Sequence, residues 1–429
     1  MKNILKLSLV IILATTLVAE DEKGRSVKEA VGDVLKHTTT KAGSANSYED
    51  MFTNAEITGQ LELMYSKNDN KNNPNIYATA VGGNVIYTLA KYKGFNAAAE
   101  FSIAHDINTL TGEDTKQNPG ISSEDGSYTE LSQVYVDYEY DGFSVRLGRQ
   151  LIDTPLADSD HIRIIDNTFE AVVFNYEQEE FSLTLGYLSR WQGTDAGLDI
   201  DNHWQDTGDD GTYFAGISYA NDLVDISAWY YDISKSQASN TATGNVANKS
   251  AYFDISLHDK VSKNFYLYFN AQYLNQSSQD SSEIESSIYG ALFEVVAYKK
   301  LAFTLAYNKA QKQSQKGSFS GFGGGTLYTN MDSMIIDSIT QDRDAQAIVA
   351  GMTYSIGKVG FLYAYGDFDG DKDSQAIDEH IVEQNIGIMY NHTQNLTIAA
   401  ICTINDDKKD TQSNGGDFTN YRAVLAYKF

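Results

Sequence analysis

The chain is short of the residues from which many soluble active sites and scaffolds are built. Its 429 residues include one cysteine, Cys402, three prolines, seven histidines and seven arginines. A lone cysteine excludes an internal disulfide and any thiolate metal centre. So few prolines leave β ladders nearly unobstructed, because proline cannot donate to them. Basic charge is scarce as well. Against 58 Asp and Glu stand only 32 Lys and Arg, a net charge of −26, which argues against nucleic acid, whose phosphates need basic surface. Past residue 19 no apolar run approaches the roughly 20 residues of a membrane-spanning helix. His105, His161, His203, His258, His380 and His392 fall in separate segments without a nucleophile-and-base motif, so neither a catalytic centre nor a cofactor is expected.

What the chain has in plenty is tyrosine (29), phenylalanine (19) and glycine (33), with a period of two. Tyrosine favours half-buried sheets and membrane interfaces. Tyr421, Ala423, Leu425, Tyr427 and Phe429 share one face, and Arg422, Val424, Ala426 and Lys428 the other. Phe265, Leu267, Phe269, Ala271 and Tyr273 alternate with Tyr266, Tyr268, Asn270 and Gln272. Phe181, Leu183, Leu185 and Tyr187 alternate with Ser182, Thr184, Gly186 and Leu188. Segments of about 10 residues with aromatic ends have the length of a tilted membrane strand and its aromatic girdle. About 18 segments recur by this pattern, starting near 57, 76, 94, 129, 142, 168, 180, 211, 223, 249, 262, 286, 300, 344, 358, 382, 394 and 419.

Short turns (Lys91–Gly94, Asp141-Gly142, Asn221-Asp222, Lys299-Lys300, Gly357-Lys358) alternate with longer polar loops near 106–128, 150–167, 191–210, 235–248, 311–343, 369–381 and 406–418. This rhythm predicts an all-β fold: a transmembrane antiparallel up-and-down β-barrel of about 18 strands, short turns toward the periplasm and long loops outward. Protease on intact cells is then expected to cut within 311–343 and spare 299–300.

Residues 1–19 read as a secretory signal peptide: Lys2 and Lys6, an apolar stretch from Leu7 to Leu17, and Val18-Ala19 before Glu20-Asp21-Glu22. Its removal leaves 30 basic against 58 acidic residues, a net charge of −28. Residues 20–50 form a periplasmic N-terminal extension. Val27, Ala30, Val31, Val34 and Leu35 recur at helical spacing there, which leaves a short amphipathic helix and a flexible extension equally open. Residues 51–429 form the barrel.

One block is more specific. Between Val145 and Ala171 stand Gly148-Arg149-Gln150, Thr154-Pro155, an Asp-rich turn carrying Arg163, and Thr168-Phe169-Glu170. This block resembles the third-loop region of the OprD-like outer-membrane porins. The resemblance implies an 18-stranded channel, monomeric or loosely trimeric, whose third loop folds into the lumen. It also implies small solutes, often carboxylates, passing a row of arginines. Arg146 and Arg149 match that row, and Asp153 to Glu170 the constriction loop. With seven arginines, Arg25 lying outside the barrel, the chain falls short of a long arginine ladder.

Alternation assigns the lumen independently. Val145 and Leu147 face lipid, so Arg146 points inward, as by the same parity do Arg190, Arg422 and Lys428. Glu62, Glu100, Asp137, Glu139, Asp225, Asp254 and Glu294 face them. A Lys or Arg facing lipid at mid-membrane would cost about 2–4 kcal/mol, which enforces this placement. Arg149 has the opposite parity and joins the lumen only if the chain has already turned at Gly148. Loop 150–167 adds Asp153, Asp158, Asp160, His161, Arg163 and Asp166. The acidic count favours cations and the resemblance favours carboxylates; both stay open.

The expected partners are outer-membrane lipid, lipopolysaccharide and small solutes. Asp367, Asp369, Asp371 and Asp373 are spaced so that they could hold a cation such as calcium, but they lack the order and the distal Glu of an EF-hand loop and read first as a solvated acidic loop. The rival readings are a barrel enzyme of protease or phospholipase type, a plugged receptor, and a structural or adhesive barrel. A plugged receptor would need 22 strands and more than the roughly 35 residues available for a plug.

Overall fold

The computed structural model describes residues 43–107, 121, 127–160, 163–196, 204–235, 245–280, 282–325, 327–411 and 416–429. The signal segment and most of the extension, with Val27 to Leu35, lie outside the described residues, as do His161 and His203. Eighteen long strands follow one another: β1 (Glu56–Asn70), β2 (Ile76–Thr88), β3 (Phe95–Asp106), β4 (Ser127–Tyr140), β5 (Phe143–Gln150) and β6 (Thr168–Gln178). Next come β7 (Phe181–Gln192), β8 (Thr212–Ala220), β9 (Val224–Ile233), β10 (Asn248–Ser262), β11 (Phe265–Ser278) and β12 (Ser286–Ala297). The last six are β13 (Leu301–Lys312), β14 (Ala345–Ile356), β15 (Val359–Gly370), β16 (Glu379–Asn391), β17 (Leu396–Asp407) and β18 (Phe418–Lys428).

Each strand pairs antiparallel with the next, and β18 returns to β1, from Gln60↔Lys428 to Asn70↔Phe418. The barrel is therefore closed and has no edge strand to expose. Its outer face repeats the sequence alternation. Leu61, Phe101, Val136, Leu147, Ile217, Phe253, Leu305, Phe361 and Ile388 all point away from the interior and are exposed. An apolar belt around the full circumference has only lipid to cover it, so this is a membrane-spanning barrel. Aromatic pairs mark the short-turn rim: Phe95–Tyr138 at 4.4 Å, Phe143–Tyr176 at 4.3 Å and Phe181–Tyr219 at 4.9 Å between ring centres. The two-residue turn Asp141-Gly142 has φ of +46° and +83°, the hairpin geometry whose twist matches the strands and which a glycine at the second position tolerates.

The interior is packed by loops. In the third loop Ile152, Leu156, Ile164 and Ile165 are buried. Ile164 lies against Gly82 of β2, where a Cβ would come within 2.7 Å of its Cγ2. The segment between β13 and β14 departs from the outward loop expected at 311–343. Phe319, Phe322, Leu327, Met331, Met334, Ile336 and Ile339 are all buried in the lumen, and Ile336–Ile339 forms a 3₁₀ turn. This loop carries too much apolar surface to stand in water, and the barrel interior offers the partners that bury it. The protease site moves accordingly. Trypsin on intact cells should cut after Lys372, in the exposed segment 371–378, and should spare both Lys299-Lys300 and the inward loop. Cutting at Lys299-Lys300 on intact cells would reverse the orientation.

Candidate functional site

Two inward loops meet across the lumen. A short hairpin, Asp153-Thr154 with Ala157-Asp158, opens the third loop. Ser159 Oγ ties it down, accepting from Ile152 N (2.8 Å) and donating to Ile152 O (3.0 Å). The β13–β14 loop adds itself alongside: Asp158 N donates to Phe322 O at 2.9 Å and Phe322 N to Leu156 O at 3.0 Å. Gly323, at φ +89°, lets the two backbones touch, since a Cβ there would lie 2.0 Å from Asp158 O.

The tip of the β13–β14 loop is pinned to the wall. Arg422 of β18 and Thr403 of β17 donate to the two carboxylate oxygens of Asp332. Asp332 N reaches Asn385 Oδ1 (3.3 Å) and Ser333 N reaches Glu383 Oε1 (3.1 Å), both on β16. The Asp332 and Arg422 side chains are only 4 % and 5 % exposed. Burial alone would raise the Asp332 carboxyl, but Arg422 and Arg163 beside it outweigh burial and hold it below the usual carboxylate range.

Between the loops and the wall lies a cavity of about 490 Å³. Asp160, Arg163, Asp195, Asp332, Asp337 and Arg422 bring both signs of charge to it, and Ser66, Asn68 and Asn420 add neutral polar groups. Guanidinium and carboxylate groups facing a narrow space create a transverse field, stronger there than in bulk water.

Of the residues expected from sequence, Asp160 and Arg163 line this cavity. Asp153 and Asp158 sit in the adjoining hairpin, and Asp166 is buried behind it. Arg146 faces inward, on the wall, where it pairs with Asp137 (3.3 Å) and lies 4.1 Å above the Tyr135 ring. Glu139 stands at the short-turn rim, bound to Lys91.

Arg149 and Arg190 differ from expectation. Pairing of β5 runs unbroken to Gln150, so Arg149 keeps the outward parity of Leu147, opposite exposed Val134 and Glu170. In β7, Glu170 faces Arg190 while Ala171 faces Leu188, which leaves Ser189 as an extra residue. That bulge turns Arg190 to the outer face. There Glu170 bridges the two arginines (3.7 and 2.7 Å), and the Trp204 ring lies 4.6 and 5.2 Å from them. Sequence reasoning placed Arg422 in the lumen but missed Asp332 and Asp337. The signal was the apolar content of 311–343, from Phe319 to Ile339.

No protein-family model matches the chain, and no curated protein does. Solved structures do match, at low identity. The crystal structure of Acinetobacter baumannii OccAB2 is 14% identical, covering 89% of this chain and 99% of its own, with a TM-score of 0.73. Pseudomonas aeruginosa OpdK with vanillate is 15% identical, with 88% and 99% covered and a TM-score of 0.73. Pseudomonas aeruginosa OccK9 (OpdG) is 11% identical, with 88% and 99% covered and a TM-score of 0.72. This chain has the OccAB and OpdK barrel fold. One of the matching structures is described as the outer membrane protein opdK.

Breaking a buried ion pair on one side costs about 3–5 kcal/mol, because the other charge stays buried alone. Arg422→Ala should therefore release the loop tip, raise single-channel conductance and lower the temperature at which the barrel unfolds in detergent. Asp332 is held low, so its stabilisation is present above the unfolded carboxylate value and is lost as pH falls through the lower folded value. Conductance of the unmutated chain should thus stay flat from neutral to mildly acidic pH and rise only below the ordinary carboxylate range. An early rise would assign the latch to another group.

Proposed function

We propose that this chain is a porin of the OprD-like type, a passive outer-membrane channel for small hydrophilic solutes and ions, working as a monomer or loose homotrimer among lipid and lipopolysaccharide. The observation that carries this reading is the charged cavity closed by two inward loops inside a lipid-facing barrel. Such a lumen needs no reacting group; width and field do the selecting. Solutes that carry a carboxylate, amino acids among them, suit a gap with Arg163 and Arg422 on one side of the charge balance and Asp160, Asp195, Asp332 and Asp337 on the other. Vanillate, present in one OpdK crystal structure, is itself a carboxylate.

A barrel enzyme is less well supported. His105 and Ser127 share a hydrogen bond on the outer face, but no carboxylate of a described residue is hydrogen-bonded to His105 to orient it as a base. Among the described residues no group of His, Cys, Asp and Glu is arranged to hold a metal.

In planar bilayers the purified chain should conduct, and deleting residues 152–166 should raise conductance severalfold. A closed barrel without conductance would leave a structural or adhesive role. Arg163→Ala should shift the reversal potential toward cations and slow entry of small carboxylates into liposomes. Arg146→Ala should cost folding yield and leave ion preference unchanged, since Asp137 already occupies that guanidinium. The opposite outcome for the two arginines would move the filter down to β5.

A further inference from the structure

The apolar belt continues past the strand ends onto the segment that leads into the barrel. Residues 43–53 run beside the β2–β3 turn, with Ala45 N bonded to Lys91 O (2.9 Å), Lys91 N to Gly43 O (2.6 Å) and Ala90 N to Met51 O (3.0 Å). Within them is a short helix, α1 (Tyr48–Thr53), capped by Ser47, whose Oγ accepts from Asp50 N at 3.1 Å. Met51 turns into the contact and is buried, while Tyr48 and Phe52 turn away, 74% and 62% exposed. The side of the wall on which α1 lies follows from Tyr87. It belongs to the outer face of β2, and its hydroxyl donates to Phe52 O at 3.3 Å. Tyr48 meets Tyr92 edge-on at 5.0 Å. Ile57, Phe95 and Tyr140, all exposed, complete the same rim.

We propose that α1 is an interfacial foot: Tyr48 and Phe52 enter the boundary between headgroups and acyl chains, and the partner is the phospholipid surface of the leaflet on the short-turn side. The foot is continuous with the rim, because two large apolar side chains extend an aromatic girdle that already sits at that height. Charge does not drive the contact, since α1 carries Glu49 and Asp50 and no basic residue. Tyr48 and Phe52 therefore insert through their apolar area, and the foot fixes the height at which the chain enters the barrel. The inference rests on the barrel being membrane-spanning.

Spin labelling in vesicles of phosphatidylethanolamine and phosphatidylglycerol tests it. Phe52→Cys and, independently, Tyr48→Cys are made in a Cys402→Ala background, with Lys358→Cys as a label on an opposite short turn. The native Cys402 faces the belt, next to inward Thr403, so labelling it in the unmutated chain reports separately whether the barrel sits in lipid. With Cys402 lipid-exposed, labels at 52 and 48 should collide with oxygen readily and with a nickel chelate several-fold less often than the label at 358, at low and high salt alike. Nickel collision at 52 and 48 equal to that at 358 would put the foot in water and overturn the proposal. Loss of the difference at high salt would also overturn it, by making the contact electrostatic. A Cys402 label open to the chelate would instead overturn the membrane reading beneath it.

Discussion

In the hydrocarbon of a bilayer no water is available to an unpaired amide, and the closure of β18 onto β1 answers that constraint. Every backbone donor and acceptor in the ladder must find its partner within the sheet, and only a closed sheet allows this for strands. From this follow the alternation of apolar and polar side chains, the near absence of proline and the even strand number that returns both ends to one rim. The outer belt of Leu, Ile, Val and Phe is then a solvent requirement, and the polar inner wall is what remains for the other parity.

Closing the sheet creates a second problem, an interior too wide for wall side chains to fill. The third loop and the β13–β14 loop solve it together. Each carries its own apolar residues into the lumen, Ile152, Leu156 and Ile164 in one and Phe319, Met331 and Ile336 in the other. They are joined backbone to backbone at Asp158 and Phe322. What stays open is a charged gap against the β1, β17 and β18 wall, and that gap gives the barrel its candidate filter. The Asp332–Arg422 pair holds one loop to the wall, which ties the width of the gap to a buried ion pair.

Charges elsewhere are used for bracing. Arg146 is held by Asp137 and Tyr135 on the strand before it. Arg149 and Arg190 share Glu170 on the outer face above the apolar belt, where a guanidinium escapes the mid-membrane penalty. Three of the seven arginines thus support the wall, while Arg163 and Arg422 reach the gap.

The period-two pattern by itself determined the barrel. Starts read near 76, 168 and 286 coincide with the strands at Ile76, Thr168 and Ser286, because in lipid one wrong parity exposes every polar side chain of a strand. The third loop, with its Asp160 and Arg163, was marked by the resemblance of the block from Val145 to Ala171 to the OprD-like third loop. What only the tertiary structure decided lies where parity fails. The extra Ser189 in β7 turns Arg190 outward, and unbroken pairing past Gly148 keeps Arg149 outside. The inward turn that buries Phe319, Met331 and Ile336 was also beyond a local reading. Its burial depends on contacts with the third loop and with β16 to β18, far away in the chain, and a loop pattern carries no record of the cavity that receives it.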